Sequence, residues 1–176
     1  MKTLMSGESW GKVVYFDVTE KWGDPYRMAE DVVLLLDDLR GYLGYPIYVH
    51  CGLDSGGHVK ASQHWIIETS SDGHSTKTLP PWSDAIDWSI PGLVLIQYIN
   101  AVEARLSRLK LSGKVGLGIY PDWYGGGGVH LDTRGTEARW GALNKVVGKY
   151  PDGKPRVKQV YVTWAEAFAV MSRSSQ

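Results

Sequence analysis

The segment from Gly118 to Arg134 constrains the fold more than any other part of the chain. It runs Gly118-Ile119-Tyr120-Pro121-Asp122-Trp123, then a glycine run from Gly125 to Gly128, then Val129-His130-Leu131-Asp132-Thr133-Arg134. A strand ending at a turn, a loop and a second strand is the simplest path for such a segment. Side chains alternate across a strand, so His130, Asp132 and Arg134 fall on one face and Val129, Leu131 and Thr133 on the other. An imidazole, a carboxylate and a guanidinium on one face make either a reactive surface or a solvated edge, because antiparallel sheets commonly leave one face in water.

The rest of the chain supplies the elements around this segment. Lys12 to Val18 alternates well enough for a short strand. Asp24 followed by Pro25 predicts a helix start, with Met28, Val32, Leu35, Leu36, Leu39 and Leu43 at helical spacing and an end near Gly41 to Gly44. Pro46 to Cys51 reads as a buried strand with Ile47, Val49 and Cys51 on one face, and the lone Cys51 as a small core hydrophobe. Residues 52–84 lack periodicity, are rich in Gly, Ser, Thr and Pro, and contain His58, His64 and His74. A loop of that length is usually functional or disordered. Asp84 to Ile90 predicts a strand, and Ser89 and Pro91 open a helix carrying Leu95, Ile99, Val102, Leu106 and Leu109, closed by Gly113. Lys114 to Tyr120, Val129 to Thr133 and Val157 to Val162 are further strands, and Thr163-Trp164-Ala165-Glu166 has capping-box spacing before a terminal helix. The expected fold is α+β, one domain over residues 1–176 with a small, mainly antiparallel sheet against helices.

Composition narrows function. With 19 basic and 19 acidic residues the formal net charge is zero, which argues against a nucleic-acid binder held by bulk electrostatics. The glycine run has no following Lys-Ser or Lys-Thr and leads into a strand, so it is no phosphate loop. No apolar stretch has the length of a signal peptide or a membrane span, so a soluble chain made in the cytoplasm is expected. Eight Trp and ten Tyr against two Phe is a balance suited to lining sugar or peptide sites, although ordinary half-buried packing explains most such rings.

A hydrolytic zinc site typically takes three protein ligands, imidazoles and a carboxylate, with a fourth position for water. The sequence offers His64, Asp87 and His130, too far apart in the chain for spacing alone to join them. The ordered run His50-Cys51-Gly52, Ser55-Gly56-Gly57-His58, Ser62-Gln63-His64, Ala85-Ile86-Asp87, Gly118-Ile119-Tyr120-Pro121, Val129-His130-Leu131-Asp132-Thr133-Arg134-Gly135 and Ala138-Arg139-Trp140-Gly141 resembles the M15 family of zinc peptidases, the D-Ala-D-Ala carboxypeptidase and phage-endolysin-type enzymes. The resemblance covers roughly residues 25–141 and implies zinc held by His64, Asp87 and His130. It also implies hydrolysis of peptidoglycan stem peptides by a monomer that acts on the cell wall after release.

Three departures qualify what the resemblance implies. Residues 65–84 intervene between the first histidine and the aspartate and carry His74, a competing ligand. The family's Ser-Gly-Tyr-Arg turn reads Cys51-Gly52-Leu53-Asp54 here, without the arginine that can hold a substrate carboxylate. Gly127 stands where some branches place a catalytic carboxylate. The base is therefore expected to be Asp132, which otherwise orients a ligand imidazole, with Asp122 as the outsider. Gln63, Trp123 and Arg134 are the expected substrate contacts, Arg134 alternatively pairing with Asp132 or Asp87. The alternative class is a non-catalytic cell-wall-binding or virion structural module on the same fold.

Overall fold

The computed structural model describes residues 2–53, 68–69, 75–76, 82–123 and 126–173. The fold is α+β. Its main sheet has six strands in the order β1-β4-β6-β5-β7-β8: β1 (Tyr48–Cys51), β4 (Ala85–Ser89), β5 (Gly116–Tyr120), β6 (Gly128–Asp132), β7 (Ala138–Lys149) and β8 (Pro155–Thr163). All neighbouring pairs are antiparallel except β5 and β7, which run parallel. The short strands β2 (Glu68–Thr69) and β3 (Ser75–Thr76) pair with each other. The helices among the described residues are α1 (Gly7–Trp10), α2 (Glu30–Leu43), α3 (Ile96–Arg108) and α4 (Trp164–Arg173). None of them is long and apolar enough to cross a membrane.

Alternation divides the sheet into two faces. Val49, Ile86, Trp88, Leu117, Ile119, Val129 and Leu131 are buried on the core face, where the apolar stripes of α2 (Val32, Leu36, Leu39) and α3 (Ile99, Val102, Leu106) join them in one cluster. Each such side chain taken from water contributes about 1.5–3 kcal/mol. Helix α4 comes so close to β7 that a Cβ on Gly141 would lie 2.1 Å from that of Ala167. Its start is the expected capping box, with Glu166 Oε2 accepting from Thr163 N at 2.8 Å and Glu166 N donating to Thr163 Oγ1 at 3.2 Å.

Several local expectations are corrected. Residues 12–18 form no strand, because the N–H groups of Val14 and Tyr15 donate to the buried Asp37 carboxylate at 3.1 and 2.8 Å instead of to a neighbouring strand. Asp24 and Pro25 open only a 3-10 turn, Pro25–Arg27. Met28 then pairs with Ser83 in extended form, and α2 starts at Glu30. Pro91 does not begin α3, since Gly92 takes a φ of 82° and the helix starts at Ile96. In β1 a bulge between Val49 and Cys51 adds a residue and turns Cys51 off the core face to pair with Asp87, so Cys51 is half-buried beside the polar face.

Candidate metal and peptide site

The second sheet face carries the polar and titratable side chains. Reading straight across the register, Cys51, Asp87, His130, Gly118, Trp140 and Thr163 form one row. Ala85, Asp132, Gly116 and Ala138 form the next. Strand β5 is what makes room: its core-facing residues are Leu117 and Ile119, and its site-facing residues include Gly116 and Gly118. A Cβ on Gly116 would lie 2.3 Å from Asp132 Oδ2, and one on Gly118 2.6 Å from the Trp140 indole. Two missing side chains therefore let a carboxylate and an indole lie over the sheet beside His130.

His130 is held at both ring nitrogens. Nδ1 meets Asp87 Oδ1 at 2.8 Å and Nε2 meets Asp132 Oδ2 at 3.0 Å. The ring also sits 5.0 Å from Trp140, centroid to centroid. Asp87, His130 and Asp132 are all buried. Burial alone would lower the His130 pKa, but hydrogen bonds to Asp132 and Asp87, together with their charges, push it up to about 9. Burial likewise tends to raise Asp132, yet the Arg134 guanidinium and His130 hold its carboxyl well below the usual range. Arg134 grips Asp132 through Nε to Oδ1 at 2.7 Å, through Nη2 to Oδ2, and through its backbone N–H to Oδ1 at 3.1 Å. Its guanidinium also lies 5.2 Å from the Trp140 ring centroid.

Aromatic rings form the wall. Trp123 stacks on Tyr120 at 4.4 Å with the planes 9° apart, and lies where a side chain on Gly128 would be. His50 meets Trp123 edge-on at 5.7 Å and Ser89 Oγ through Nε2 at 2.8 Å. Burial, offset in part by Asp87, lowers its pKa. Next to the site, Asp84 is buried and its pKa is raised, burial outweighing the charge of Lys2.

The expected site residues separate into three groups. Asp87, His130, Asp132 and Arg134 come together with Trp123 nearby. Asp122 does not turn inward: its Oδ2 accepts from Asn144 N at 2.6 Å, at the root of the β7–β8 ribbon. Gln63, His64 and His74 lie outside the described residues, as does most of the 65–84 segment. Among the described residues, no group of three or more His, Cys, Asp or Glu side chains is arranged to hold a metal ion; of the expected ligands only Asp87 and His130 are described, and they contact each other. Sequence reasoning missed the roles of Trp140 and of Gly116 and Gly118. Glycines alternating with large apolar residues in Gly116-Leu117-Gly118-Ile119 were the available signal, since they mark a close approach over one face. Comparison of the chain with family models, with curated proteins and with solved structures gives no match.

Proposed function

We propose that this protein is a zinc-dependent peptidase of peptidoglycan stem peptides. The observation that carries the reading is the meeting of the Asp87 carboxylate and His130 Nδ1 at 2.8 Å on a sheet face walled by aromatic rings, with Asp132 behind the imidazole. A carboxylate oxygen and an imidazole nitrogen so placed are donors suited to zinc, and a carboxylate on the far ring nitrogen is the usual support of a ligating histidine. His64 is the third ligand in this reading, with His74 its competitor. Bound zinc would polarise a scissile carbonyl and lower the pKa of its water.

The chain's own groups divide the remaining work. Asp132 accepts from His130 Nε2–H, and the Nδ1 proton held against Asp87 would have to leave before Nδ1 could ligate zinc, so metal uptake would release a proton. Arg134 fixes Asp132 in turn, and that same grip makes Asp132 a weak proton acceptor, because a general base works best with a pKa near the operating pH. Asp132 therefore serves as the orienting carboxylate. Two guanidinium nitrogens of Arg134 are engaged by Asp132, which leaves Trp123 as the expected substrate contact among the described residues. This tight Asp132–Arg134 pairing also favours the second reading, a zinc-holding wall-binding module without hydrolysis.

Zinc content measured alongside hydrolysis of purified peptidoglycan tests the proposal. Stoichiometric zinc with product release that chelation abolishes is the expected result. Zinc without release favours the binding module, and no zinc uptake removes both readings.

A further inference from the structure

One row further along the same sheet face stands a pair of tyrosines with an alanine between them. Tyr161 on β8 is the register partner of Ala142 on β7, and Tyr120 on β5 lies one residue beyond the Ile119–Gly141 pair, on the other side of Ala142. Ala142 is 1% exposed although it has only a methyl group, whereas Tyr161 is 59% exposed. Period-two alternation puts Tyr161 on the face of Trp140 and His130. Electrostatics agree: burial and then the charge of Asp87 raise the Tyr161 pKa, and Tyr161 contributes in turn to the rise at Tyr120. The phenol is therefore turned toward the Asp87 side of the sheet.

The ribbon beyond Tyr161 continues this face with Asn144 opposite Gln159 and Val146 opposite Val157. Lys145 and Lys158 are opposite each other on the reverse face, which also carries Arg156, whereas Lys149, opposite Pro155, stands on the Tyr161 face at the far end of the ribbon beyond the bulge. Between Tyr161 and Val157 the face that is continuous with the site thus offers a phenol, two exposed amides and apolar side chains, a set suited to an uncharged peptide backbone.

We propose that Tyr161 is a substrate-positioning residue: its ring lies against an extended peptide and its hydroxyl donates to a backbone carbonyl oxygen about two residues from the bond cut beside Asp87 and His130. The proposal rests on the peptidase reading above. Distance decides against contact with the reacting carbonyl itself. Three strand spacings of about 4.8 Å put the β8 backbone roughly 14 Å from that of β6. The tyrosine side chain spans about half of this, and a chain advancing about 3.3 Å per residue crosses the rest in about two residues. The substrate class implied is an oligopeptide, bound better than a dipeptide.

The test compares Tyr161→Ala and Tyr161→Phe with wild type on a dipeptide and on a stem tetrapeptide, and measures tetrapeptide binding to the metal-free proteins by calorimetry. Tyr161→Ala is expected to raise the tetrapeptide KM and its dissociation constant about tenfold, a loss of about 1.4 kcal/mol, with kcat within about twofold and dipeptide kinetics unchanged. Tyr161→Phe, which keeps the ring, should show a smaller loss of the same kind. Wild-type values for both variants in both measurements overturn the proposal, as does an equal loss on dipeptide and tetrapeptide. If wild type hydrolyses neither peptide, the peptidase reading falls, and calorimetry alone then decides whether Tyr161 contacts peptide.

Discussion

Strands β4, β5 and β6 are buried along their whole length, whereas the outer half of the ribbon, Asn144–Lys149 with Pro155–Gln159, is exposed. The inner strands pack against the helices on one face and carry the buried Asp87, His130 and Asp132 on the other. The ribbon is held by its own ladder and by Asp122 at its root, and it tolerates Lys145 opposite Lys158, a like-charge pairing that is unfavourable in a sheet. Stability therefore belongs to the inner strands; in the proposed function the metal ligands lie there as well, and the ribbon extends the face that would meet substrate.

The largest expected effect breaks the inner region. His130→Ala removes the group that separates Asp87 from Asp132 and leaves two buried carboxylates facing a gap. Loss of one partner of a buried ion pair costs about 3–5 kcal/mol, so thermal or denaturant unfolding should show a drop of that size in the metal-free protein. Zinc uptake and hydrolysis should disappear with it. A His130→Ala protein with wild-type zinc content would remove His130 from the ligand set.

Asp132→Asn sharpens the division of roles inside the site. In the orienting role, zinc affinity should weaken by on the order of ten- to a hundredfold while turnover recovers in excess metal. A fall in turnover of roughly a hundred- to ten-thousandfold with zinc retained would instead make Asp132 the general base. The metal-free protein carries a separate signature. Because the fold holds the Asp132 carboxyl below its ordinary range, its stabilisation is complete above the unfolded aspartate value of about 3.9 and is lost as pH falls toward the folded value. The Asn variant should lack that part of the acid-side loss when the two unfolding-versus-pH curves are compared.

Gly116→Ala tests whether an absent side chain is what admits the Asp132 carboxylate. The new methyl would sit 2.3 Å from Oδ2, so Asp132 must move away from both His130 and Arg134. Overpacking of this kind costs about 1–3 kcal/mol. Unfolding and zinc affinity should fall together, and an unchanged zinc affinity would separate the glycine from the site.

What the sequence made legible follows from how local each signal is. The α3 stripe, the Thr163–Glu166 capping box and the shared face of His130 and Asp132 are set by residues within a few positions of one another, and all are present in the fold. The expected strand at residues 12–18 failed because its N–H groups meet Asp37 on α2, a contact more than 20 residues away. Strand β7 has no apolar alternation to announce it, and it exists because β5 and β8 pair with it on either side. The bulge that turns Cys51 toward Asp87 shows only in the register. For the site, the residue types of Asp87, His130, Asp132 and Arg134 were readable from the chain. The Arg134–Asp132 pairing, two residues apart, was among the readings the chain offered. That Tyr161 shares their face required the register of strands distant in sequence.

The smallest effect sharpens the ribbon side of the comparison. Lys158→Glu replaces a like-charge cross-strand pair with an opposite-charge one, in solvent and away from the inner strands. Cross-strand charge pairs contribute roughly 0.2–1 kcal/mol, so unfolding should shift upward by no more than that, and less as salt is raised. Because Lys158 faces away from Tyr161 and the site row, zinc content and dipeptide hydrolysis should match wild type. Added stability that disappears in high salt, with zinc chemistry unchanged, would bear out the separation of the two regions. A shift in zinc affinity from this reverse-face substitution would mean that the ribbon is mechanically coupled to the inner strands, and β7, the strand common to both, would be the place to look for the coupling.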